Sequence, residues 1–146
     1  MQVNNSGTYQ THLEWFRSVL QGKNVVLSHT SALEGLGLFA GYVNENQIDL
    51  YAIEREPYTN INYYIVNGFD GIETTEVGGL RCTTVQQTIN DMLRDYDKID
   101  EQALVQALSD YYYSHGESFN GLEIEPQYLS RFNTLADWAV EYYDYD

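Results

Sequence analysis

An adjacent Ser28-His29 pair, two further histidines, one cysteine and a wealth of carboxylates are the groups in this chain with chemical potential. A hydroxyl beside an imidazole is the start of a nucleophilic relay. Catalytic pairs usually meet from distant positions, because neighbours in sequence rarely aim their side chains at one another. His29 is therefore expected at the entry of a helix, with its ring bonded to backbone. His12, His29 and His115 form no metal-binding pair at helical spacing, and Cys82 has no second cysteine with which to share a metal or a disulfide. A lone cysteine of this kind reads as a small buried hydrophobe.

A metal-dependent nuclease needs carboxylates converging on a divalent ion, usually with a lysine nearby. The chain has many carboxylates but only Lys23 and Lys98. Asp49, Glu54 and Glu56 have strand spacing, and Asp49 and Glu54 would fall on opposite faces. Gly35-Leu36-Gly37 lacks the following Gly and Lys of the known phosphate cradles, and Gly78-Gly79 reads as a hairpin turn. A DNA-reading helix carries several Lys or Arg, and no helix expected here has more than two. The expectation is a protein without cofactor, metal site or catalytic residues, and not an enzyme.

The elements that carry these residues follow from capping signals and periodicity. Thr11 and Glu14 have capping-box spacing ahead of a helix over 12–21, with Leu13, Phe16 and Leu20 on one face and Gly22 as its stop. Val25 to Leu27 form a short strand. Ser28, Thr30 and Ser31 supply cap hydroxyls for a short helix over Ala32 to Leu36, ended by Gly37. Ile48, Leu50 and Ala52 alternate with Asp49, Tyr51 and Ile53 as a strand should. Ile61 to Val66, Ile72 to Val77 and Leu80 to Thr83 complete the strands, with turns at Asn67-Gly68, Asp70-Gly71 and Gly78-Gly79. Thr83 and Thr84 precede a helix bearing Val85, Ile89, Met92 and Leu93. Asp100 can cap a helix bearing Leu104, Ala107, Leu108 and Tyr111. Pro126 sits in the first turn of a last helix bearing Leu129, Phe132, Ala136, Ala139, Val140 and Tyr143. Strands segregated from helices predict an α+β fold: a small, largely antiparallel sheet packed with about five helices, the C-terminal part all helical. Residues 1–146 read as one domain, with a polar lead over 1–10 and an acidic, tyrosine-rich tail over 141–146.

Charge is the strongest compositional signal. The 22 acids outnumber the 7 bases and leave a net charge of −15. Such a surface repels nucleic-acid phosphates and attracts basic partners. It can equally serve solubility alone. The 43% hydrophobic content excludes general disorder. The chain has no apolar run long enough to span a membrane and no signal-peptide pattern near Met1, so a cytoplasmic protein is expected. Thirteen of the 22 acids lie in residues 91–146, against the bases Arg94, Lys98 and Arg131.

Two segments together resemble the AbiEi-type antitoxin domain. Ser28-His29-Thr30-Ser31-Ala32-Leu33 is similar to the Ser-His-x-Ser-Ala-Leu run that opens a short helix in that family. Arg81-Cys82-Thr83-Thr84 through Asp91-Met92-Leu93 is similar to its later run of Arg, a threonine pair, and a helix carrying Thr, a hydrophobe and Asp-Leu-Leu. The resemblance spans roughly residues 23–115. It implies an antitoxin of a toxin–antitoxin or phage-defence pair, whose usual partner is a nucleotidyltransferase-like toxin. In this family the motif residues Ser28, His29, Ser31, Leu33, Arg81, Thr83, Thr84 and Asp91 would be marks of the fold. Two departures stand out. Only about ten polar residues precede the first helix, so the DNA-binding winged helix of many members is not expected here. Val85-Gln86-Gln87 stands where the family often has Pro-Glu-Arg.

Two functional expectations result. In the first, an antitoxin-like protein neutralises or regulates a basic partner, with no direct binding of nucleic acid. Its candidate contacts are Tyr111, Tyr112 and Tyr113, with Glu141, Tyr142, Asp144 and Tyr145 of the tail. On a helix, one or two of three consecutive tyrosines must face the core. In the second, an acidic mimic of nucleic acid, of the kind phages encode, inhibits a defence or nucleic-acid enzyme.

Overall fold

Polar side chains set most of the helix starts. Thr11 accepts a hydrogen bond from the Glu14 amide at 3.1 Å and opens α1 (His12–Leu20). Glu14 reaches back to the Gln10 amide, one residue before the Thr11 amide of a standard capping box. Thr84 accepts from the Gln87 amide and opens α3 (Val85–Arg94), while Asp100 accepts from the Ala103 amide and opens α4 (Glu101–Ser114). A 3-10 turn, Pro126–Tyr128, leads into α5 (Leu129–Glu141), and its proline occupies a position where no amide donor is needed. The helix α2 (His29–Gly35) departs from the pattern. It starts at His29, so Thr30 and Ser31 lie inside it, and the Ser28 hydroxyl does not cap it. The structure, a computed structural model, describes residues 1–3, 9–39 and 47–142.

The strands are β1 (Val25–Leu27), β2 (Ile48–Ala52), β3 (Ile61–Ile65), β4 (Thr74–Val77) and β5 (Leu80–Thr83), in the order β3-β2-β1-β5-β4. The fold is α+β, as the segregation of elements predicts, but the sheet is mixed and not largely antiparallel. The pairs β1–β2 and β4–β5 are antiparallel, whereas β1–β5 and β2–β3 are parallel. The central pair β1–β5 is parallel, and each of its strands runs straight into a helix, α2 and α3, which contact one another. The turn between β4 and β5 takes positive φ at Gly78 (58°) and Gly79 (86°), the combination a type I′ hairpin demands.

Two apolar cores result. Trp15, Phe16 and Leu20 of α1 pack on the sheet residues Leu27, Ile48, Leu50 and Cys82, together with Ala32 of α2. Leu33 of α2 joins Ile89, Met92, Leu104, Leu108, Phe132 and Leu135 in the helical core. All five residues of β2 are buried, including Asp49 and Tyr51. The alternation expected of β2 is therefore real in geometry but does not put its polar face in water. Among the described residues, no helix is long and apolar enough to cross a membrane.

Candidate functional site

Asp49 and Tyr51 of β2 lie opposite Asn62 and Tyr64 of β3 in parallel register, so the four side chains share one sheet face. Helix α2 and the C-terminal end of α3 meet that face. Asp49 is the anchor. Its carboxylate accepts from the Thr30 amide at 3.2 Å and the Asn62 side-chain amide at 2.7 Å. Its own amide donates to Ser31 Oγ at 2.8 Å, and its carbonyl accepts from the Ser28 amide at 3.1 Å. Burial pushes the Asp49 carboxyl above the ordinary carboxylate range, while the Asn62 bond, His29 and the Thr30 amide pull it back.

His29 is fully buried beside it and takes a left-handed backbone, φ +52°. Such a conformation costs a non-glycine residue about 1 kcal/mol or more, and three side-chain partners offset it. Nδ1 lies 2.7 Å from Ser28 Oγ, Nε2 lies 2.8 Å from Asp95 Oδ2, and the ring stacks on Tyr64. The expected backbone bond to the imidazole is replaced by these two side-chain bonds. Burial would raise the Asp95 carboxyl, but hydrogen bonds from His29 and Arg94 hold it well below the ordinary range. In the neutral ring, the tautomer that donates from Nε2 to ionised Asp95 accepts the Ser28 hydroxyl at Nδ1.

Arg94 closes the network. Its Nη2 donates to Asp95 at 2.6 Å and to the Tyr51 hydroxyl at 2.8 Å, and its Nη1 lies 3.4 Å from Asp91. Asp91 also accepts from Gln87 at 2.9 Å. Its second oxygen, Oδ2, is buried with no hydrogen-bond partner among the described residues. Burial accordingly raises the Asp91 carboxyl, opposed by Tyr51, Gln87, Arg94 and His29.

The order Ser28–His29–Asp95 has the bonds of a nucleophilic relay. A relay also needs its hydroxyl oxygen open to an electrophile, with donors around the developing oxyanion. Ser28 and His29 have no exposed surface, so the arrangement as it stands works as a strut joining β1 and α2 to the end of α3. The other chemical candidates are dispersed. Asp49 is buried, Glu54 is exposed and Glu56 binds Lys23 at 2.8 Å. Among the described residues, no group of His, Cys, Asp and Glu side chains could hold a metal ion.

The structure brings part of the two sequence motifs together. His29 of the first motif bonds Ser28 and Asp95, Asp95 shares Arg94 with Asp91 of the second, and Ser31 bonds the Asp49 amide. Leu33 lies instead in the helical core. Thr83 shares a hydroxyl bond with Thr88, and Thr84 caps α3. Arg81 lies apart, donating to Asn24 at 2.6 Å with its guanidinium over the Phe69 ring. Asp95, Arg94, Tyr51 and Tyr64 were not singled out by sequence. The signal for Arg94 and Asp95 was a charged pair directly at a helix end, which reads equally as a solvated terminus.

The tyrosine run divides its roles. Tyr111 is buried, donates to the Asn120 carbonyl at 2.8 Å and stacks on His115. Tyr112 is half-buried against Phe119. The Tyr113 hydroxyl donates to the Val140 carbonyl and ties α4 to α5. Glu141 is exposed at the end of α5, Tyr142 is half-buried against the helical core, and Asp144 and Tyr145 lie outside the described residues. A feature absent from the sequence expectations lies on α5. Trp138 is 48% exposed and Leu129 is 43% exposed. Trp138 borders a groove of about 560 Å³ with Tyr96, Tyr128 and Leu135. Its position off the Phe132, Leu135 and Ala139 stripe was the available signal. No protein-family model matches the chain, and no curated protein matches it either.

Proposed function

We propose that the chain is an antitoxin-like, non-catalytic binding protein of the cytoplasm, which neutralises a basic partner of the nucleotidyltransferase-like toxin class. Helix α5 carries this reading. It presents Trp138 as a large exposed anchor, with the exposed carboxylates Asp137 and Glu141 on the same helix. Tryptophan is among the residues that dominate binding energy at interfaces. Carboxylates around it favour encounter with a positively charged surface and disfavour nucleic acid. The resemblance of the 28–33 and 81–93 segments to antitoxin domains supports the choice of partner class. The full burial of Ser28 and His29 supports a structural role for the residues best suited to chemistry.

The test is affinity capture from the source cells at low and high salt. One stoichiometric basic protein should be retained at low salt and released at high salt. Expressed alone, that protein should arrest growth, and co-expression of this chain should relieve the arrest. Capture of no partner at any salt, or of a partner that is harmless alone, overturns the reading.

A further inference from the structure

Three of the seven basic side chains of this acidic chain line a single depression. Arg17 comes from the last turn of α1, Lys23 from the connection to β1, and Arg81 from β5. Glu14 is the one carboxylate in the lining. The lining thus carries three basic side chains against one carboxylate, with Lys23 also paired to Glu56 beside it, in a molecule of net charge −15. Clefts lined by one sign of charge concentrate ions of the other. An anion repelled by most of this surface is drawn here.

The depression has a volume of about 380 Å³, within the range of roughly 300–1,000 Å³ typical of small-molecule sites. Half-buried Val25 and Leu80 supply the accessible apolar lining, Leu20 and Leu27 being almost fully buried, and the Gly78-Gly79 turn forms part of its wall. The turn fits closely: a Cβ on Gly78 would stand 3.3 Å from both Arg17 Cδ and Leu13 Cδ2. The cations differ in how free they are. Lys23 is held by Glu56 at 2.8 Å, and this bond raises its pKa. Arg81 is oriented by Asn24 and by the Phe69 ring. Arg17 is exposed on α1. The guanidinium fork matches phosphate oxygens two at a time, and the ammonium adds charge.

We infer that this depression binds a small organic phosphate, with Arg17 and Arg81 on the phosphate and the apolar lining under a body of about nucleoside size. The apolar lining argues for an organic ligand, because inorganic phosphate would leave that surface uncovered. The inference is independent of α5 and of the partner proposed for it.

The experiment is a titration of the ¹⁵N-labelled protein at low salt with AMP, with adenosine and with inorganic phosphate. AMP should shift the amides of Gly22, Gly78, Gly79 and Arg81 saturably. Adenosine and inorganic phosphate should each bind about tenfold more weakly or worse. Arg17→Ala, at an exposed position, should weaken AMP by about tenfold with the remaining resonances unmoved, and Arg81→Ala should do the same. Shifts that fail to saturate at millimolar AMP overturn the site. So do shifts that persist unchanged in Arg17→Ala, or adenosine or inorganic phosphate binding as tightly as AMP.

Discussion

The imidazole of His29 lies flat against the phenol ring of Tyr64, with centroids 3.8 Å apart and planes 11° from parallel. One ring comes from the start of α2 and the other from the edge strand β3. The stack therefore closes the rim of the sheet over the buried polar network. Aromatic pairs of this kind contribute about 0.5–1.5 kcal/mol beyond their burial. The hydrogen bonds behind the stack hold the imidazole in place.

Removal of the Asp95 carboxylate should cost more than removal of the stack. Asp95→Ala leaves the buried His29 Nε2 and Arg94 without their shared partner, and breaking a buried pair costs about 3–5 kcal/mol. The Asp95 side chain is 14% exposed, so a loss near the lower end, about 3 kcal/mol, is expected. Urea unfolding measures it. A loss below about 1 kcal/mol, the scale of an ordinary hydrogen bond, would rule out the strut. The pH dependence has a definite sign. The folded carboxyl sits below its ordinary value of 3.8, so its stabilisation is complete above that value and is lost as pH falls through the folded pKa.

Glu34 works in the opposite direction. Its side chain is 10% exposed, and burial raises its carboxyl to about 6, against the pull of the His12 bond at 3.0 Å. The unfolded chain releases this proton near 4.5 and the folded chain near 6, so stability should fall as pH rises between those values. Glu34→Gln should flatten that decline and raise stability at neutral pH by up to about 2 kcal/mol. Unfolding curves across this pH range decide it, and an unchanged slope refutes it.

The helix starts at Thr11, Thr84 and Asp100 were legible because capping is local chemistry. So was the hairpin turn at Gly78-Gly79. The parallel pairing of β2 with β3 was not, because it depends on where residues 53–60 return the chain. The site was half legible. Ser28 and His29 stood out as a pair, but nothing near them in sequence points to Asp95, 66 residues away. Asp49 and Tyr51 were legible as one face of a strand, but not their burial, which α2, β3 and the end of α3 impose together.

Cys82 should be inert in the native protein. It is buried, and burial pushes its thiol up to about 12. The thiolate is the reactive form, so alkylation by iodoacetamide should occur only on unfolding, with a rate that follows urea concentration. Rapid alkylation of the folded protein at neutral pH would contradict this placement.

Trp138→Ser should separate binding from folding. Trp138 is 48% exposed, so thermal stability should change little. Loss of an interface anchor costs about 2 kcal/mol or more, so affinity for the captured basic partner should drop about thirtyfold. Tyr113→Phe is the counterpart: it should weaken the α4–α5 junction by about 1 kcal/mol. Calorimetric titration and thermal melts read the two effects separately. Unchanged affinity in Trp138→Ser would remove α5 from the interface.

Helix α2 is only seven residues long, yet it places Ala32 in the core of the sheet and Leu33 in the core of the helices. Neither half can lose it and keep its interior closed. The molecule should therefore melt in one step, and backbone amides in α1 and α5, at opposite ends of the chain, should exchange with solvent through the same global opening. A short segment thus sets the cooperativity of the whole chain, so a partner that stabilised either half would protect both.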